Sequence, residues 1–205
     1  INYCIDLGLS KSQIMKSFFH YFELENNHKI WQFCMDIGNL PENILDFCKE
    51  KKFSFKHCAY LSRFPKELLK YLLDNKNCLN LTASIFLELA QNTHDYLRRE
   101  AISIDEFSRN SELSNTLNSD KNVHEKTLLF RNRISNKCFP ILIKTNKKIE
   151  AIKTEMDIPK TVNIKWDRTL EEKEVSIDIK LKASDDLQKT LKIFEPNKLP
   201  NDILF

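Results

Sequence analysis

The chain has 205 residues, 41% of them apolar and 10% aromatic, which supplies a core and excludes a wholly disordered segment. A net charge of +3 and a pI near 8.4 exclude a nucleic-acid domain held by bulk charge, so any polyanion contact must rest on local arrangement. Six cysteines with no C-x-x-C pair, no leader pattern and no apolar run of membrane-spanning length exclude a disulfide framework and point to a reduced, cytoplasmic protein. The chain starts at Ile1, already inside a helical pattern, and is expected to be a fragment that another segment precedes.

Residues 7–23, LGLSKSQIMKSFFHYFE, are the most informative stretch. Gly8, one of only two glycines, suits a sharp helix-to-helix corner. Ser10 and Gln13 form an S-x-x-Q capping box. Ile14, Phe18, Tyr21 and Phe22 recur at helical spacing and predict a buried face. The opposite side carries Lys11, Ser12, Gln13, Lys16, Ser17 and His20, and no acid lies between Asp6 and Glu23. Donors near a helix start, without negative charge, match the needs of a helix in the major groove of DNA. In this reading Ser10 and Ser12 hold phosphate or the helix start. Lys11, Gln13, Lys16 and Ser17 reach base edges, and His20 sits at the margin.

Short helices are expected to follow. Ile30, Trp31, Phe33, Cys34 and Ile37 form one that stops at Gly38, and Pro41 suits the first turn of the next. Ser54 starts another, Pro65 opens one with Leu68, Leu69, Leu72 and Leu73 inward, and Thr82 caps a longer one to about Arg99. Ser103 and Glu106 make a second capping box for a short helix. The turn around Lys51 and Lys52, with Lys56 and Arg63, is a candidate phosphate grip. Residues 108–136 begin SRNSELSNTLNSDKNVHEKT and read as a polar linker or an exposed, weakly held helix.

Beyond it the pattern changes. Pro140 starts a helix with Leu142, Thr145, Ile149, Ile152 and Met156 at heptad-like steps, and Pro159 ends it. Val162, Ile164 and Trp166 alternate with polar residues, as do Val175, Ile177, Ile179 and Leu181, predicting two strands. Ser184 caps a last helix with Leu187, Leu191 and Phe194 inward. Two strands with one apolar face are marginal alone, so this unit is expected to pair with a second copy. Leu142, Ile149, Ile152, Val162, Ile164, Trp166, Ile177, Ile179, Leu181 and Leu191 are its candidate dimerisation residues.

Three stretches together resemble the ParB family of DNA-partition proteins: INYCIDLGLSKSQIMKSFFHYFEL, LPENILDFCKEKKFSFKHCAYLSRFPKELLKYLL, and the unit over 139–195. In the second, Leu40-Pro41-Glu42, the basic Lys49–Lys52 turn and the Ser54 to His57 start are similar to the family's pattern. The resemblance implies a mainly α protein. A multi-helix helix-turn-helix DNA-binding domain (1–107) and a polar linker (108–136) would precede an α-β-β-α dimerisation domain (137–205). It implies sequence-specific binding of double-stranded DNA as a homodimer, on an inverted repeat at a centromere-like site, in plasmid or chromosome partition. It further implies a nucleoid- or plasmid-associated protein in the cytoplasm, away from membranes, and a partition ATPase reached through the region before Ile1. The chain lacks the arginine-rich motif of the family's CTP-binding domain, and its Glu23–Leu40 connection is longer than usual. Of the sheet lysines, Lys165, Lys180 and Lys182 share the polar strand face.

No catalytic residue, cofactor or metal site is expected. His57 and Cys58 are adjacent, without the paired spacing that zinc needs, and two glycines make no phosphate-cradling loop. A transcription regulator with the same DNA geometry is one alternative. A helical scaffold for protein partners is another, and the near-neutral charge favours it.

Overall fold

The computed structural model describes residues 1–155, 161–172 and 174–180. Among these the chain is mainly helical, with one two-stranded antiparallel sheet, and it divides into two compact units, Ile1–Cys138 and Phe139–Phe205.

The first unit opens with α1 (Asn2–Asp6) and α2 (Lys11–Ile14), which runs into a π-helical turn at Met15–Phe19. Then come α3 (His28–Gly38), α4 (Glu42–Glu50), α5 (Phe55–Leu61), α6 (Lys66–Asp74) and the long α7 (Ala83–Glu100). The unit closes with α8 (Ile104–Ser108), α9 (Ser111–Leu117) and α10 (Val123–Cys138). Local chemistry sets these starts. Ser10, Asn27, Ser54, Thr82, Ser103 and Asn110 each accept, through the side chain, the N–H three residues on. Several ends share a device as well. Gly8, Glu23, Lys52 and Ala101 all have positive φ, and the next residue's N–H reaches back five positions, as Phe53 does to Cys48 and Ile102 to Leu97. This is the Schellman closure, and only Gly8 adopts it without a Cβ penalty.

A large core fills the space between α4, α6, α7, α9 and α10. Phe47 and Phe86 meet with ring centroids 4.9 Å apart, and Leu68, Leu69, Leu72, Leu113 and Phe130 are fully buried around them. A second, much smaller cluster of Ile14, Phe19 and Trp31 joins α2 to α3. On another side α3 rests on α5 through the Phe33–Phe55 edge contact at 5.9 Å.

Residues 108–136, expected as a linker, instead form α9 and most of α10 inside the first unit. Polar residues there are buried because the helix satisfies them. Thr116 Oγ1 donates to Glu112 O at 2.8 Å. Thr127 Oγ1 donates to Val123 O at 2.7 Å and accepts the Asn80 N–H at 2.7 Å. Thr127, Phe130 and Ile134 then make a buried stripe, and Arg131 clasps Glu88 of α7 through two hydrogen bonds of 2.6 and 3.1 Å.

The second unit holds α11 (Pro140–Glu155) and the strands β1 (Val162–Trp166) and β2 (Val175–Ile179). Register pairs Val162 with Ile179, Ile164 with Ile177 and Trp166 with Val175, so these side chains share one face. Within the unit α11 covers the β1 half of that face. Trp166 Nε1 donates to Asn146 Oδ1 at 2.7 Å, and the Arg168 guanidinium lies 4.0 Å from the Trp166 ring centre. Met156, Pro159, Leu181, Lys182, Leu191 and the helix expected from Ser184 lie outside the described residues.

Candidate nucleic-acid interface

Gly8 stands at φ +82° in the corner between α1 and α2, as its position in the sequence suggests. Open space surrounds the place a Cβ would take, so the constraint there is conformational. Two residues on, the capping box forms: Ser10 Oγ accepts from Gln13 N at 3.3 Å, and Gln13 Oε1 accepts from Ser10 N at 2.8 Å. Gln13 Oε1 also takes the Ser10 hydroxyl at 2.8 Å. A bidentate grip by Gln13 on a base would therefore break the cap.

The buried face differs from the expectation. Ile14 is buried, but its partner is Phe19, with 1% exposure, while Phe18, Tyr21 and Phe22 are 38%, 81% and 62% exposed. The cause is the π turn. A wider turn returns the fifth residue, not the fourth, to the face of Ile14. Phe19 then packs on Trp31 with ring centroids 6.3 Å apart, and Tyr21 and Phe22 stand edge to face outside, 5.4 Å apart.

Ser10, Lys11, Ser12, Gln13, Lys16, Ser17 and His20 are all exposed. Lys11 Nζ lies 5.4 Å from the Trp31 ring centre, which ties the head of α2 to α3. The helix that packs against α2 is thus α3. By contrast α1 has five residues, none of them buried, and supports little. Asn27 starts α3 by accepting Ile30 N at 2.9 Å, and its amide donates to Glu25 at 2.8 Å. His28, Lys29 and Gln32 are exposed on the first turns, with the Gln32 amide donating to Asp36 at 2.8 Å. None of these three was among the residues expected from the sequence; the available signal was the Asn27 cap followed by His28 and Lys29.

The second basic group is not one patch. Lys51 Nζ pairs with Glu50 at 2.9 Å, and Lys51 lines a polar cavity with Lys76, Asn77, Asn80 and Val123. The Lys51 hydrogen bond, more than any other contact, holds the Glu50 carboxyl below its ordinary range. Lys52 occupies the left-handed closure of α4, and the Arg63 guanidinium stacks 5.4 Å from the Tyr60 ring centre. Lys56 lies on α5 and is exposed.

In the second unit Ile152, Val162 and Trp166 are buried in the single chain, and Trp166 is hydrogen-bonded to Asn146 of α11, so little of their surface stands open. Leu142, Ile149, Ile164 and Ile179 are half-buried, while Ile177 is 45% exposed and Val175 is also open. On the other sheet face Lys165 is paired with Asp178 at 2.5 Å.

Burial pushes the Cys48 thiol up to about 12 and the Cys138 thiol up to about 11, and raises Cys34 and Cys58 as well. Thiols so placed stay protonated at neutral pH and are poor nucleophiles. Among the described residues no group of three His, Cys, Asp or Glu side chains is gathered for a metal, and no helix is long and apolar enough to cross a membrane. No family model, curated protein or solved structure matches the chain.

Proposed function

We propose that the first unit binds double-stranded DNA through α2 and α3 acting as a helix-turn-helix pair. One observation carries this reading. The Ser10–His20 surface is exposed, rich in donors, free of acids, and mounted on the Ile14–Phe19–Trp31 cluster that fixes α2 against α3. In such pairs the first helix crosses the backbone and the second puts its N-terminal residues in the major groove. Ser10, Lys11, Ser12, Lys16, Ser17 and His20 then face phosphates, and His28, Lys29 and Gln32 face base edges. Lys56 extends the phosphate contact from the α5 side.

The role in partition, on an inverted repeat bound by a homodimer, comes from the ParB resemblance, as does the partition ATPase as partner. A dimer through the second unit would use the open β2 side, where Val175 and Ile177 remain uncovered. The same geometry serves a transcription regulator. Exposed Tyr3 and Leu7 on and beside α1 favour a second reading, a helical scaffold for protein partners.

The test is selection of bound duplexes from a random pool, followed by variants. Gln32→Ala should cost about 1–3 kcal/mol at one base pair. Lys16→Ala should weaken all sequences alike. A pool with no enriched sequence, or equal losses for both variants on every duplex, contradicts the reading.

A further inference from the structure

The π turn leaves Phe18, Tyr21 and Phe22 outside the core while every polar side chain from Ser10 to Ser17 also faces solvent. π turns within α-helices are frequent at functional sites, and here the phase slip is what exposes three rings at once. An α-helical continuation would return Phe18 to the face of Ile14. The rings belong to a stretch, residues 10–22, that also carries exposed Lys11, Lys16 and His20 and no acid. Glu23 and Glu25, both exposed, follow the rings in the chain.

We propose that Phe18, Tyr21 and Phe22 form a stacking platform for unpaired bases, so that this unit also takes single-stranded nucleic acid. The proposal rests on the nucleic-acid reading of the Ser10–His20 surface. Two features select the occupant. The lysine strip calls for a polyanion, and the rings call for flat π faces that a closed duplex keeps stacked inside. A single strand presents both on one molecule. Its backbone follows Lys16 and Lys11, away from Glu23 and Glu25, while bases lie on Tyr21 and Phe22. An acidic protein segment without aromatic side chains would satisfy the lysines but leave the rings without matching faces.

Anisotropy of three labelled probes tests this on the whole chain: a fifteen-residue thymidine strand, a duplex of equal length, and heparin as a polyanion without bases. Phe22→Ala and Tyr21→Ala, at exposed positions, should each weaken the single strand about tenfold and leave duplex and heparin within twofold. A helical circular dichroism spectrum and melting temperature equal to the parent's would show that the fold is intact. Single-strand binding indifferent to both variants, with duplex binding intact, overturns the platform and leaves the DNA reading standing. Failure of the parent chain to bind either nucleic acid overturns both. Loss of self-association in Phe22→Ala, seen by sedimentation with single-strand affinity unchanged, would assign the rings to a protein partner and end the proposal.

Discussion

The first unit contains two cores of very different size. From Leu40 to Cys138 a single large cluster joins α4 through α10, braced by the Arg131–Glu88 pair and by Arg99, whose guanidinium donates to Lys137 O and Cys138 O at 2.5 and 2.6 Å. Ahead of it, α2 and α3 are held by three buried residues and a lysine over Trp31. The small cluster is where the π turn, the exposed rings and the acid-free donor strip all occur. The contrast teaches that the candidate interface is carried on the thinly supported part of the fold, with the large core as its base. Interaction surfaces are commonly drawn from the less stable end of a structure, because side chains left free for a partner contribute little to the interior.

Phe130→Ala should show the difference most strongly. Truncating this fully buried ring removes about 3–5 kcal/mol, and amide exchange should accelerate across α6, α7 and α10 together. Phe19→Ala should instead free the amides of residues 10–38 while α7 and α10 keep their protection. Uniform acceleration in both variants would mean that the two clusters unfold as one.

Helix starts were readable in the sequence because a cap is a local event. Ser10, Ser54, Thr82 and Ser103 needed only their own next three residues. Gly8 was readable for the same reason, and the two strands followed from alternation at Val162–Trp166 and Val175–Ile179. The π turn was not readable. Ile14 has an apolar residue at both the fourth and fifth positions, and only Trp31, seventeen residues away, decides that Phe19 goes inward. Residues 108–136 misled because Thr116 and Thr127 look polar until their hydroxyls bond their own helix. Whether Ile152 and Trp166 serve a partner or their own unit was also undecided in one dimension, since the same spacing satisfies both.

A smaller effect sharpens the picture on the large-core side. Ala101 closes α7 at φ +53°, where a Cβ is strained. Ala101→Gly should raise stability by roughly 0.5–1 kcal/mol, read as a higher urea midpoint with an unchanged slope. The same change at Glu23, also at φ +53°, should act on the small cluster alone and leave the global midpoint where it is.

The least effect belongs to the second unit. The Asp167 carboxyl is held at about 2, chiefly by the Thr169 hydroxyl and then by the N–H groups of Glu172, Thr169 and Glu171, which favour its ionised form. A depressed carboxylate orders its loop fully above the ordinary value of about 3.9 and releases it as pH falls through the folded value. Resonances of residues 167–172 should therefore shift between about pH 4 and pH 2. In Asp167→Asn that pH dependence should vanish, and persistence of the transition would assign it to another carboxyl.

The salt dependence of duplex binding bears most directly on the Ser10–His20 surface. The logarithm of affinity should fall linearly with the logarithm of salt concentration, and Lys16→Ala should make that slope shallower by about one. A slope near zero in the parent chain, or one that Lys16→Ala leaves unchanged, would contradict phosphate contact by α2.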